Sequence, residues 1–310
     1  MPRKNQYFGG IIGASPFVEA GVTGQFMLIG GGGGGSGPAA PGYPGGGGAG
    51  GVVYGSSFSF STGSYVIVVG DGGASAGYET YGNPGADTTG FGFTAKGGGG
   101  GIGGGSTYGS NQKNGGSGAG WEGASTQDTY SGTTNVSGYG NDGGPLVVTN
   151  LTGGGGGGAG EAGNTDGDGR GGKGLTNSFL NDIQYGQQSG INYYVAGGGA
   201  GGKYGGTQAA GGLGGGGAGA VGGTSSGAWV DATAGTTGYG AGGGGGNRRS
   251  TTNYREGKAG GKGVVLVWLP KSYSLGSDYT GSATTSAKTV GGVAGTLITF
   301  TTSGTWSPTL

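Results

Sequence analysis

The chain contains no cysteine and no histidine, and only 14 basic and 14 acidic side chains are spread over its 310 residues. Without cysteine there is no disulfide framework, no thiolate nucleophile and no thiolate metal site. Without histidine the commonest metal ligand and general base are missing as well. Any catalysis would rest on carboxylates, lysine, tyrosine or serine. A formal net charge of zero supplies no field to draw phosphate backbones or anionic lipid, which argues against nucleic acid and membrane surfaces as partners. Long hydrophobic runs are missing too: the stretch 264–269 falls far short of the roughly 20 apolar residues of a membrane-crossing helix. A soluble chain without membrane insertion is expected. The opening residues carry Arg3 and Lys4 but break at Phe8-Gly9-Gly10-Ile11-Ile12-Gly13, so they lack the continuous apolar stretch of a secretory signal, and export is not expected.

What is abundant is glycine, 98 residues against nine prolines. Leu, Ile, Val and Phe together number 46 of 310, a fraction seen in disordered chains, but disorder also calls for the high net charge that this chain lacks. The glycines are clustered, with runs at 30–35, 45–48, 97–101, 153–158, 214–217 and 242–246. Collagen requires a strict Gly-X-Y repeat and plentiful proline, and neither is present. Between the runs stand short β-branched and aromatic segments that read as strands, at 25–29, 52–54, 57–60, 65–69, 91–94, 146–149, 191–196, 264–269 and 296–301. No helical periodicity stands out.

Several strands open directly into glycine, as where Phe26-Met27-Leu28-Ile29 meets six glycines. A glycine tract in a polyproline-II-like helix has three residues per turn and no internal hydrogen bonds, and six residues reach roughly 19 Å at its 3.1 Å rise. Its amides and carbonyls must therefore find partners outside the tract. Lacking Cβ atoms, neighbouring tracts can approach closely enough to bond one another, with Cα–H to carbonyl contacts beside them. Ordering each residue opposes this by about 1 to 2 kcal/mol, so isolated tracts should not form. The predicted fold is all-β, a sheet or β-sandwich base whose strands set the register of a bundle of polyglycine-II helices, with essentially no α-helix. The predicted division is an anchoring segment at 1–24, the glycine-rich domain at 25–269, and a C-terminal β segment at 270–310 that completes a sheet in its own or a neighbouring subunit. Its strand at 296–301 is expected beside residues 25–29.

Three motifs in order carry a resemblance: Phe26 to Gly35, the segment Tyr65-Val66-Ile67-Val68-Val69-Gly70-Asp71-Gly72-Gly73, and the closing Lys262-Gly263-Val264-Val265-Leu266-Val267. Over residues 25–269 the chain resembles the glycine-rich domain of bacteriophage tail and virion structural proteins, and distantly the glycine-rich region of anaplastic lymphoma kinase receptors. The receptors are secreted and contain cysteines, so the phage side is favoured. The resemblance extends to tail-fibre-tip adhesins, in which such a bundle presents variable loops to the host, and it implies the base-and-bundle architecture.

Motifs for chemistry are sparse. Asn164-Thr165-Asp166-Gly167-Asp168-Gly169 spaces oxygens as a calcium loop does, but Leu175 stands where the twelfth-position carboxylate belongs. A polar turn is the favoured reading, and no metal or cofactor is expected. Gly-x-Gly-x-x-Gly matches arise from composition, and no convincing helix follows one, so no nucleotide site is indicated. Asp166 and Asp168 are the only close carboxylate pair, with no apolar wall to raise one pKa, and an enzyme is not expected.

Aromatics are more informative: there are 17 Tyr and 4 Trp, side chains that give large, rigid contact area to glycan or protein surfaces. Loops at 106–114, 121–142, 175–190, 224–239 and 247–256 are expected at the surface. Tyr108, Trp121, Tyr130, Trp229 and Tyr254 are the candidate receptor contacts, with Arg248 and Arg249 for charged sugars or phosphate. The competing reading has these side chains packing the bundle or subunit contacts. The expectation is a non-enzymatic virion protein, a homotrimeric tail-fibre or tail-tip component bound to other virion proteins through its N-terminal segment. Its target would be a host surface glycan or outer-membrane protein. A capsid decoration or head-fibre role is the alternative, and a polysaccharide depolymerase the least favoured.

Overall fold

The computed structural model describes residues 21–38, 43–103, 112–130, 133–146, 151–164, 167–222, 229–248 and 253–310. The anchoring segment expected at the N-terminus lies outside them except for its last four residues. In chain order the strands are β1 (Val22–Ile29), β2 (Val52–Phe60), β3 (Tyr65–Ile67), β4 (Thr88–Gly90), β5 (Phe93–Ala95), β6 (Val136–Tyr139), β7 (Gln187–Ser189) and β8 (Asn192–Tyr194). They continue with β9 (Lys203–Tyr204), β10 (Val221–Gly222), β11 (Asn247–Arg248), β12 (Tyr254–Arg255), β13 (Val264–Leu269), β14 (Ala283–Val290), β15 (Val293–Phe300) and β16 (Gly304–Trp306). One helix, α1 (Ser178–Ile183), precedes β7. The chain is thus nearly all β, as its composition predicts.

The base is a six-stranded antiparallel sheet in the order β14-β15-β13-β1-β2-β6. Every residue of β13 is buried, because alternate side chains serve two cores. Met27, Leu266 and Trp268 face a core that includes Phe179, Leu180 and Ile183 of α1. Phe26, Val265 and Val267 face a second core with Ile67, Phe300 and Trp306. Fully covered strands are expected to read as unbroken apolar runs rather than as alternation, which is why 264–269 reads as it does. The second core is roofed by two small sheets, β3 with β16 and β4 with β5. It is dense in rings: Phe60, Phe91 and Trp306 stand edge-on to one another at centroid distances of 5.3, 5.7 and 6.3 Å.

Three expectations change. The segment 175–190, expected at the surface, holds α1, whose Phe179, Leu180 and Ile183 are buried. Asn177 caps it, its side chain accepting from the Leu180 amide at 2.9 Å, and Gln184 ends it at φ 55°. Second, β15 lies not beside β1 but beyond β13, in the same chain, with Val265 opposite Phe300. Third, the two segments 52–54 and 57–60 are one strand, β2. Gly24 and Gly55 flank a register irregularity in its pairing with β1, and the space a side chain on Gly55 would fill is taken by the Phe26 ring.

Above the sheet the glycine tracts form a hydrogen-bonded bundle whose repeat is three residues. The amides of Gly30, Gly33 and Ser36 donate to the carbonyls of Gly51, Gly48 and Gly45, all at 2.8 to 3.0 Å. Those of Gly31, Gly34 and Gly37 donate to Ala86, Asn83 and Thr80, and those of Gly32 and Gly35 to Gly261 and Lys258. The carbonyls accept in turn: Gly31 and Gly34 from Gly98 and Gly101, Gly33 and Ser36 from Gly243 and Gly246, and Gly32 from Gly73. Each tract face therefore meets its own neighbour, and 30–37 is surrounded on all sides by backbone. This is the polyglycine-II arrangement, with every third residue on one face. The tract 45–51 is enclosed in the same way, for example by Gly48 donating to Gly99 and Gly47 to Gly243.

Glycine is required here by proximity. None of residues 30–35 has a left-handed backbone, yet a Cβ on Gly33 would fall inside the Gly99 carbonyl, and one on Gly47 inside the Gly33 carbonyl. Tracts on the perimeter relax the rule on one face only. Along 70–77, Gly70, Gly73 and Ala76 are buried while Asp71 and Ala74 are exposed. Outward charges link perimeter tracts, Lys262 to Asp71 at 3.0 Å and Lys173 to Glu161 at 3.4 Å, pairs exposed enough to contribute less than about 1 kcal/mol each.

Candidate functional site

The bundle runs from the sheet to an opposite end, where tracts stop and short connections begin. The hairpin β11–β12 sits there, since Gly246 before it donates to Ser36 and Gly257 after it donates to Ala76, both remote from β1. Its register places Asn247 opposite Arg255 and Arg248 opposite Tyr254. The two-residue parallel pair β9–β10 lies at the same end, and Val230 bridges to Val221 of β10.

These elements carry two aromatic and charged clusters, one on each side of the hairpin. The Arg255 guanidinium stands 5.1 Å from the centroid of the Trp229 ring, within the range of a cation–π contact. Its Nε also approaches Asp231 Oδ1 at 3.0 Å without aligning a hydrogen bond to it. On the other side of the hairpin Tyr254 packs against Tyr78 at 5.2 Å, and Arg248 donates to the Tyr78 hydroxyl at 3.3 Å. A groove of about 460 Å³ opens between Asp231, Tyr254, Arg255, Glu256 and Lys258. It combines the Tyr254 ring with donors and acceptors, the equipment for polar ligands such as sugars or exposed protein loops.

Of the residues singled out from the sequence, the fold places Trp229 against Arg255 on one side of the hairpin and Arg248 and Tyr254 against Tyr78 on the other. Tyr108 and Arg249 lie outside the described residues. Trp121 is tied to the chain near the tips of the tracts, its indole donating to the Tyr43 carbonyl at 3.0 Å. Trp121 and Glu122 follow one another at φ 78° and 59°, a region that costs a non-glycine residue of order 1–3 kcal/mol. The Gly144 carbonyl fixes them by accepting both amides, at 2.9 and 3.3 Å. Tyr130 belongs to the base: its ring packs on Phe93 at 5.2 Å, and its hydroxyl accepts from the Thr94 amide at 2.9 Å and donates to the Thr94 carbonyl at 3.0 Å.

Sequence reasoning passed over Tyr78, Asp231 and Arg255. The available signal was the dipeptide Tyr254-Arg255, whose side chains point to opposite sides of a strand and so meet different partners. In the calcium-like segment, the Asp168 carboxylate is held by Arg170 Nε at 2.6 Å and the Asn164 side-chain amide at 2.6 Å, and Thr165 and Asp166 lie outside the described residues. No cluster of three potential metal-binding side chains occurs among the described residues, and no helix among them is long and apolar enough to cross a membrane.

The groups whose titration the fold displaces lie in the base. Burial pushes the Tyr54 hydroxyl up to about 12, with Tyr139 and Asp182 adding to the shift. Burial likewise raises Tyr279 to about 12, and it raises Tyr185 further, assisted by Tyr239. Tyr54 donates to Gln25 Oε1 at 2.6 Å, Tyr185 to the Gly238 carbonyl at 2.9 Å, and Tyr279 to the Thr302 carbonyl. These are structural tyrosines, fixed where the base meets the bundle or its own flanks.

No curated protein and no solved structure matches the chain. A family model described as glycine-rich domain matches residues 17–269, a span that takes in β1, every tract of the bundle and β13. With its tracts bonded in three-residue register and its first and last matched strands paired side by side, the chain belongs to the glycine-rich domain family.

Proposed function

We propose that this is a bacteriophage virion protein, a tail-fibre or tail-tip component that presents loops for attachment to the host. The observation that carries the reading is the division of labour along the bundle. One end is closed by two packed cores, and the other carries an open polar groove lined by Tyr254 and Arg255, with Trp229 packed on Arg255 and Tyr78 packed on Tyr254. Between them the tracts are held to one another chiefly by backbone hydrogen bonds, an arrangement suited to stiffness and to resisting proteases. Surface rings backed by guanidinium groups suit a host glycan or an outer-membrane protein. In this reading the copies assemble as a trimer, as symmetric fibres do, and no enzymatic step is involved.

The test is binding of the purified protein to host cells, with antibody labelling of intact particles in parallel. Saturable binding with label at the tail end is expected. Label over the capsid with no cell binding would replace this reading with a decoration or head-fibre role.

A further inference from the structure

The base carries a second groove that the attachment reading does not use. It has a volume of about 560 Å³ and is lined by Tyr65, Val66, Thr89, Phe91, Phe93 and Thr94 among others, none of them charged. On one side of it β3 pairs with β16. On the other, β3 is joined to β4 by a single bridge between Val68 and Thr89, beyond which the strands part around the groove. Ile67 and Val69 point into the core, so Val66 and Val68 point out, and they are 67% and 39% exposed. Among the described residues no strand pairs with the edge of β3 beyond that bridge, and such an edge beside outward-facing valines is the surface onto which an extended segment adds itself.

The start of the described chain lies next to it. Val22 pairs with Phe60, and Gly21 sits so close to the Phe60 carbonyl that a side chain there would strike it. Phe60 in turn packs against Phe91 at 5.3 Å and Tyr65 at 6.3 Å, two residues of the groove wall, and the Ser61 amide donates to the Tyr65 hydroxyl at 2.9 Å. Twenty residues precede Gly21, and Tyr7-Phe8-Gly9-Gly10-Ile11-Ile12 is their main apolar stretch. The nine residues from Ile12 to Gly21 can span roughly 30 Å when extended, ample to turn back over Phe60. Residues 7–12 carry no charge, matching the uncharged groove.

We infer that the groove between β3 and the β4–β5 hairpin is the docking site for residues 7–12 of this chain, from the same copy or an adjoining one. The segment adds an edge to β3 and covers Val66 and Val68 with its apolar side chains.

Because the chain has no native cysteine, the full-length protein can be tested by pairwise cross-linking. Ile11→Cys combined with Val66→Cys is expected to form a disulfide under mild oxidation at least about tenfold faster than Ile11→Cys with Val293→Cys. Val293 is 50% exposed and opens β15, just after its turn from β14. A cross-link within one chain and a cross-link between two copies both support the site and tell the two sources apart. Equal rates for the two pairs overturn it. A second measurement uses no cysteine: amide exchange of residues 7–12 is expected to be at least about tenfold slower in the native chain than in Val66→Asp, whose melting temperature should be unchanged. Exchange at the same rate in both proteins overturns the proposal.

Discussion

The amide of Gly33 donates to the carbonyl of Gly48 at 2.8 Å, and three residues earlier Gly30 does the same to Gly51 at 2.9 Å. That pair fixes two antiparallel tracts at backbone-to-backbone distance and leaves no room for a Cβ between them. The stability of the bundle rests on many such contacts, each modest, about 0.5–1.5 kcal/mol net, and each dependent on glycine.

Gly33→Ala should therefore be disproportionately harmful. The new methyl would meet the Gly99 carbonyl, with backbone on every side, and overpacking of this kind costs about 1–3 kcal/mol or more. Gly77→Ala is the control, since the nearest atom to a Cβ there is the Thr80 hydroxyl at 4.0 Å. Thermal unfolding should show a lower midpoint for the first variant and a midpoint close to the native one for the second.

Phe179→Ala should unfold at much lower denaturant. Phe179 is 1% exposed and stacks on Tyr54 at 5.5 Å, and deleting such a ring costs about 3–5 kcal/mol. Asn177→Ala removes only the cap and should cost about 1 kcal/mol. A midpoint unchanged in Phe179→Ala would mean that α1 does not close the core.

Alkaline pH should destabilise the base. The unfolded chain loses its tyrosine protons near the ordinary value of 10, whereas folded Tyr54 and Tyr279 hold theirs to about 12. Above pH 10 the unfolded state thus binds fewer protons than the native state, and stability falls with rising pH. The contribution is fully present below pH 10 and is lost as pH rises through about 12. Equilibrium unfolding followed between pH 8 and 12 checks the sign. A Tyr54→Phe variant, free of that ionisation, should show a shallower decline.

Trp229→Ala and Arg255→Ala should weaken host-cell binding, by roughly thirtyfold if Trp229 is an anchor worth about 2 kcal/mol, without shifting thermal stability. Tyr130→Phe should do the reverse. It loses the hydroxyl's two bonds to Thr94, about 1 kcal/mol, and should bind as the native chain does. Binding isotherms alongside melting curves separate the two behaviours.

Removing residues 296–310 should abolish folding. Leu297, Ile298 and Phe300 of β15 are buried against β13 and its two cores, and Trp306 stands at 0% exposure in the aromatic cluster. A truncated chain that remains soluble with native β content would show that the sheet can end at β13.

The sequence was most informative where local chemistry admits one outcome. The run 264–269 reads as a strand, and the runs 30–35 and 45–48 as tracts whose amides and carbonyls need other backbone as partners. The spacing on perimeter tracts was also there to read: buried Gly70, Gly73 and Ala76 against outward Asp71 and Ala74 is a three-residue pattern hidden by the frequency of glycine. α1 was legible in retrospect, with Asn177 as cap and Phe179, Leu180 and Ile183 one turn apart, but at six residues it offers too few periods to stand out.

By itself, then, the amino-acid order determined the kinds of element and excluded thiol and histidine chemistry. It could not decide which tract bonds to which, because one glycine amide is chemically the same as another. The partner of Gly33 is Gly48 only because β1 and β2 are paired below them, with Ile29 opposite Val52. For the same reason the ends of the tracts, and with them the meeting of Tyr78 with Tyr254 and of Trp229 with Arg255, were settled by the sheet. Residues far apart in sequence come together there because backbone register, propagated three residues at a time, carries the order of the base to the far end.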